Sequence, residues 1–585
     1  MRRRSYNPHH QSLVRFDRCF FTGAERFTYI GSGELGGKAH GLARMRGILE
    51  SKLGGSFKPA ITIDIPTLTV ITTEFFDLFM KQNNLFEIAY SDARDDLIAH
   101  AFQRAEIPVR LAGDLRALVE QVHTPLAVRS SSMLEDAMFE PFASVYATKM
   151  VPNNQPDADT RFRKLLEAVK FVYASTFFRV ARNYMRATHH ATIDEKMAVV
   201  IQEVVGTRFG ERFYPHISGV LRSYNFYPTG HGTPEDGIIE LALGLGRTIV
   251  DDGVSWSFSP AFPGADPPFK SMGDRLKHTQ TTFWAVNMGK PAVYDPIKET
   301  EYLATYDLGD AEYDGSIRFL ASTYMPADDR ITSGIEERGP RIVDFAPILK
   351  DRILPLNDLL KTIKSACEDT LDAMVEVEFA LTLDRESCNP ARFGFLQVRP
   401  MVVSQAEVDL ADGELRGERV LLASETVLGN GTLDTIGDIV FVHPDRFDTM
   451  KTPQIAAEIE PFNRRLVEAR KPYLLIGFGR WGTTDPAAGI PVDFGQISGA
   501  KVIVEAALPS LNIIMSQGSH FFHNVTSFKI FYFSIPHGSE YRINWEWLMR
   551  QHTVSETDFV RHVELARPLL AKVDGRSGRG VIIHE

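Results

Sequence analysis

The chain has 585 residues, 44% apolar and 24% charged, which leaves room for more than one hydrophobic core and shows none of the bias of a disordered protein. Its formal net charge of −11 argues against general nucleic-acid binding, and no apolar run is long enough to span a bilayer. Cys19, Cys367 and Cys388 are too few and too scattered for a cysteine-based zinc cluster; with a basic N-terminus that lacks an apolar h-region, they make the cytoplasm the expected location.

The first predicted elements are a short strand, RFTYI, and a helix, GLARMRGILE, joined by GSGELGGKAH. Gly31, Gly33 and Gly36 match the dinucleotide pattern G-x-G-x-x-G in the required strand-to-helix context. The P-loop pattern fails, because Ser32 stands where its first glycine belongs and Ala39 where its Ser/Thr belongs. Under either reading, Gly36, Gly37 and Lys38 open a helix, where unpaired amides and the positive dipole end favour an anion. Beyond them, β-like runs such as AITIDIPTLTVIT alternate with helical patterns such as TEFFDLFMKQNNLF, so mixed α/β architecture is expected.

PLAVRSSSMLED places Arg129 at the end of an apolar run, followed by Ser130 and two more serines. Either the guanidinium grips phosphate oxygens with hydroxyls completing the site, or Arg129 caps a turn against Glu135 or Asp136. The basic, amphipathic stretch from Arg161 to Arg186 reads as a solvated or phosphate-facing surface helix, with a nucleic-acid face as the rival reading. Further on, VEVEF and FLQVRPM read as an antiparallel hairpin, with Glu376 and Glu378 on one face and Gln397 and Arg399 beside them. One carboxylate, one amide oxygen and substrate phosphates make a suitable hard ligand set for magnesium; a surface salt bridge is the plainer alternative.

The polar stretch SQAEVDLADGELRGE marks the expected domain junction, and the chain beyond it is strand-rich. Within that part, GFGRWGTTDPAAGIPVDFGQIS forms either an anion- or acceptor-binding loop or a wide turn with Trp481 packed on the core. MSQGSHFFHNVTSF offers His520 after Gly518 and Ser519 as a phosphoryl acceptor, although Phe521 and Phe522 stand where small residues are expected. His520 and His523 share the spacing of two metal ligands on a helical turn, with no third ligand near them in sequence.

In order, GELGGKAHGLARM, LAVRSSSMLED, MAVVIQEVV, ISGVL, IIELALGLGRTIVDDG, VEVEF and FLQVRPM resemble the nucleotide-binding domain shared by pyruvate phosphate dikinase, phosphoenolpyruvate synthase and rifampin phosphotransferase. The resemblance implies an ATP-grasp module over 29–403, after an extension at 1–28 and before a smaller α/β domain at 404–585 that is phosphohistidine-like or acceptor-binding. It implies ATP and magnesium as cofactors. Lys38 and Arg129 would contact the phosphates, Gln202 would lie near the adenine, Glu378 and Gln397 would hold the metal, and Arg399 would sit beside the β- and γ-phosphates. Such enzymes pass the phosphoryl group to a histidine, for which His520 is the candidate, and then to an acceptor that this sequence does not identify. The dikinases' pyruvate-binding barrel is expected to be missing, which leaves a separate acceptor protein or a homo-oligomer as the expected partner. Arg247 departs from the pattern, since it stands where the family commonly has a glutamate after GLG. That charge reversal keeps a non-catalytic nucleotide-sensing module as the alternative function.

Overall fold

The computed structural model describes residues 13–584 except 50–52, 54, 133–134, 136–144, 188–194, 229, 252, 268, 270, 385, 387, 402, 404–407, 409, 484–487 and 509–519. It is a mixed α/β structure in which short apolar runs of period 2 became strands and the amphipathic stretches between them became helices.

Two six-stranded sheets frame the N-terminal part. The first runs in the order Val14–Arg15, Phe27–Ile30, Leu68–Ile71, Met197–Glu203, Leu126–Ser132, Thr148–Val151. LAVRSSS lies next to the edge strand Thr148–Val151, antiparallel to both neighbours, with Arg129 opposite Thr148 on one side and Val200 on the other. The second sheet has the order Trp256–Phe258, Ile238–Ala242, Ile217–Arg222, Val375–Asp384, Cys388–Pro400, Ile61–Asp64. The expected hairpin lies at its heart: Glu376 pairs with Arg399 and Glu378 with Gln397. Directly after that pair the register shifts, so that Phe379 faces Phe395. Leu396 is therefore a bulged residue, and bulges re-aim groups beside functional sites.

From Val420 onward the chain builds a nine-stranded sheet. Its centre is a parallel run of Gly431–Val442, Tyr473–Phe478, Ala500–Ala506 and Phe531–Ile535. One hydrophobic core reaches from the helices over the first sheet into this C-terminal sheet. At the junction the Tyr184 ring lies 5.7 Å from that of Phe494 and 5.5 Å from that of Phe528.

Two sequence expectations change here. The basic stretch forms two helices, Ala158–Ser175 and Arg179–Ala187, and the first buries Leu165, Val169, Phe171, Val172 and Tyr173 instead of riding on the surface. Arg161 is buried and donates to the carbonyls of Gln155 and Val119, while Arg182 donates to those of Ser91 and Ala93. These guanidiniums tie loops together, so they are not a phosphate-facing row. The GFGRWG loop is likewise committed to the fold. The amides of Gly479, Arg480 and Gly482 donate to the carbonyls of Ala506, Ala488 and Ile490, and Trp481 is buried with Nε1 bonded to Val504 O at 3.0 Å. With its amides spent, the turn-and-core alternative describes it. Among the described residues, no helix is long and apolar enough to cross a membrane.

Candidate functional site

The glycine loop takes its shape from contact with the strand Leu126–Ser132. Gly36 caps the Gly37–Ile48 helix at φ +78°, and a Cβ there would lie 1.6 Å from Ser131 O. Only glycine fits that approach. Ser131 Oγ completes the seam by donating to Leu35 O at 2.9 Å and accepting from Ala39 N at 3.3 Å. Earlier amides of the loop are occupied: Ser32 N donates to Glu74, Gly33 N to Thr72 and Glu34 N to Thr73. The dinucleotide-fingerprint reading therefore fails, because the amides of Ser32, Gly33 and Glu34 are taken by the Glu74, Thr72 and Thr73 side chains and are not open to a pyrophosphate. What the loop leaves for an anion is the helix start with the buried Lys38, where first-turn amides have no partner within the helix.

Between the two six-stranded sheets opens a cavity of about 330 Å³. Lys38, Arg129, Gln202, Glu378, Gln397 and Arg399 all line it. Residues that are far apart in the chain thus converge on one space. Gly36, Gly37 and Ser130 do not line the cavity but stand behind it; the fully buried Ser130 hydroxyl lies 3.4 Å from Lys38 Nζ. Gly518 and Ser519 lie outside the described residues, as do the side chains of His520 and His523; His520 opens the helix His520–Ser527.

Each cation in the cavity is matched to a carboxylate. Lys38 pairs with the buried Glu135, which also accepts from Ser130 Oγ at 2.8 Å. Arg129 pairs with Glu378 and not with Glu135, which removes that half of the turn-cap alternative; Asp136, its other half, lies outside the described residues. Arg129 Nη2 instead meets Glu378 Oε2 at 3.0 Å and Gln397 Oε1 at 2.7 Å, and its Nη1 donates to the bulged Leu396 O at 3.3 Å. Arg399 donates to Glu376 Oε1. Behind it Arg222, itself buried, bonds Glu376 Oε2 and Glu240 Oε2, each at 2.6 Å. This alternating chain of charges fixes the direction of the Arg399 fork, and it depends on all of its members, since a buried charge is tolerable only when paired.

Sequence reasoning missed Arg222, Glu240 and the role of Glu135. The first two sit in strands that read only as core, and the Lys38–Glu135 contact spans 97 positions. Missed too was the setting of Arg247. Its Nε lies 2.7 Å from Asp251 Oδ2, its Nη1 lies 3.7 Å from Glu299 Oε1, and its guanidinium is 5.4 Å from the centre of the Trp284 ring. Burial raises both carboxyls, and the Arg247 charge opposes that rise. Two acidic neighbours thus absorb the charge that departs from the family pattern.

Among the described residues, no group of three or more His, Cys, Asp or Glu is placed to hold a metal. The donor set that fits magnesium is smaller. Glu378 and Gln397 present oxygens that already converge on one cation, the Arg129 guanidinium, and magnesium commonly takes few protein ligands plus substrate phosphates. In the same cavity Gln202 Nε2 is buried and has no hydrogen-bond partner among the described residues, so it is a donor open to a ligand.

A family model described as pyruvate phosphate dikinase, AMP/ATP-binding domain, matches residues 32–416, well over half of the chain. No curated protein matches it.

Proposed function

Because the chain belongs to the family of pyruvate phosphate dikinase AMP/ATP-binding domains, we propose that it is a magnesium-dependent, dikinase-type phosphotransferase of the cytoplasm. In this reading 29–403 is an ATP-grasp module and 404–585 is the domain that carries or meets the phosphoryl acceptor. The observation that carries the reading is the convergence of Lys38, Arg129, Arg399, Glu378 and Gln397 on one cavity, with Gln202 as an open donor in its lining.

The three cations offset charge on the polyphosphate, which is where phosphoryl transfer needs most help. Gln202 Nε2 supplies a hydrogen bond to an acceptor nitrogen of the base. Glu378 and Gln397 would hold magnesium, which when bound neutralises charge on the phosphoryl oxygens. Arg222 and Glu376 keep Arg399 aimed, so its fork is set before substrate arrives. The reaction moves the β-phosphoryl group to a histidine nitrogen, His520 in this reading; the γ-phosphoryl goes to water as phosphate, and AMP leaves. The final acceptor is a small molecule, a separate protein or a second copy of the chain.

Phosphorus NMR of the protein with ATP and magnesium, and no added acceptor, tests this. AMP and phosphate in amounts at least equal to the protein are expected. ADP would reassign the reaction to simple γ-transfer or hydrolysis, and bound but unchanged ATP would put the nucleotide-sensing module in its place.

A further inference from the structure

Arg129 differs from the other two cations of the cavity in what it occupies. Lys38 and Arg399 pair with Glu135 and Glu376, neither of which is assigned to the metal. Arg129 Nη2 lies between Glu378 Oε2 at 3.0 Å and Gln397 Oε1 at 2.7 Å, the two oxygens assigned above to magnesium. Magnesium needs its oxygen ligands at about 2.0–2.1 Å in a near-octahedral shell. It cannot share that gap with a guanidinium nitrogen, because both space and like charge forbid it. Nor can that nitrogen serve a phosphate while it is bonded to the carboxylate. Position favours movement of the side chain over movement of the strand. The Arg129 backbone is fixed on both sides by antiparallel ladders, whereas its side chain borders the cavity and retains 14% of its exposure.

We propose that Arg129 is a place-holding cation: it keeps Glu378 and Gln397 paired until metal and nucleotide bind, and yields them to the metal as it turns to the triphosphate. This rests on the ATP-site reading above. The exchange conserves charge, since breaking one pair frees a cation for the phosphates and a carboxylate for the metal. Metal and triphosphate then bind as a linked pair, each raising the other's affinity by the same factor.

Three binding measurements on the full chain test it, with manganese(II) read by its EPR signal as the metal probe. Wild-type protein without nucleotide is expected to bind manganese about tenfold or more weakly than in the presence of the β,γ-imido analogue of ATP. Arg129→Ala, without nucleotide, is expected to bind manganese about tenfold more tightly than wild type, because the oxygens are released. Glu378→Gln, a substitution of equal size that spares the fold, is expected to bind inorganic triphosphate in EDTA more tightly than wild type, because Arg129 is released. Manganese binding to nucleotide-free wild type as tight as to Arg129→Ala overturns the proposal, as does triphosphate binding to Glu378→Gln no tighter than to wild type. Failure of the imido analogue to bind wild type at all overturns the ATP-site reading, and the proposal falls with it.

Discussion

Glu195 is 5% exposed, and burial pushes its carboxyl up to about 7; the Ser132 and Tyr146 hydroxyls oppose that rise and the Glu135 charge adds to it. In the unfolded chain it returns toward the ordinary value of 4.5. Between these values the folded protein holds more protons than the unfolded one, so this residue's contribution to stability falls as pH climbs from 4.5 toward about 7 and is level beyond. Glu195→Gln removes the charge that burial penalises. It is expected to be more stable than wild type at pH 8, by up to about 3 kcal/mol, and to lose that advantage near pH 4.5. Urea midpoints of both proteins at the two pH values check this; a gap that is the same at both would show that the carboxyl does not titrate in that window.

At the scale of elements, substitution of Gly36, which caps the helix Gly37–Ile48, and of Gly47 within it should act in opposite directions. At Gly36, just before the helix, the positive φ and the Ser131 carbonyl leave no room for a Cβ. Gly36→Ala is therefore expected to push the helix start off the strand Leu126–Ser132, moving Lys38 away from Ser130 and Glu135 and weakening nucleotide binding. Gly47 lies inside the same helix, and a Cβ there would meet nothing within 4 Å. Gly47→Ala is expected to raise stability by about 0.5–1 kcal/mol and leave nucleotide affinity alone. Calorimetric titration with the imido analogue, beside thermal melts, separates the two effects; equal nucleotide affinity in Gly36→Ala and wild type would remove the loop from the site.

The hairpin and its faces were legible in the sequence, since counting by twos puts Glu376 with Glu378 and Gln397 with Arg399 on one face each. The register that sets Glu376 opposite Arg399 and Glu378 opposite Gln397 comes from the fold, because two register shifts lie between those pairs and the turn. The bulge at Leu396 was not legible either, since a register shift leaves the residue pattern unchanged. The basic helices were misjudged for a related reason. Composition shows that Arg161 and Arg182 are charged, but only the fold shows the backbone carbonyls that use them. In GFGRWG the glycines answer to neighbours distant in the chain: a Cβ on Gly482 would strike the Phe521 ring, and one on Gly479 would strike Gly489. Local sequence carries the turn and leaves its cause unseen.

For the whole molecule, the consequence lies where the two ends of the chain share a core. Arg179 reaches Glu460 at 3.4 Å and Asp493 at 3.5 Å, and the adjacent Tyr184 ring packs against Phe494 and Phe528. Tyr184 is 1% exposed, so its removal forfeits packing on both sides of the junction at once. Half-exposed ion pairs such as that of Arg179 contribute little, so the aromatic contact is what joins the unfolding of the two parts. Wild-type protein is therefore expected to melt in one calorimetric transition. Tyr184→Ala, a truncation of the kind that costs about 3–5 kcal/mol in a packed core, is expected to split the melt into two. The imido analogue of ATP should raise only the transition of the part that contains the cavity, because ligand stabilises what binds it. Two transitions already present in wild type would show that the junction does not couple the halves. A single transition in Tyr184→Ala, shifted down as a whole, would show that contacts other than this aromatic cluster carry the coupling.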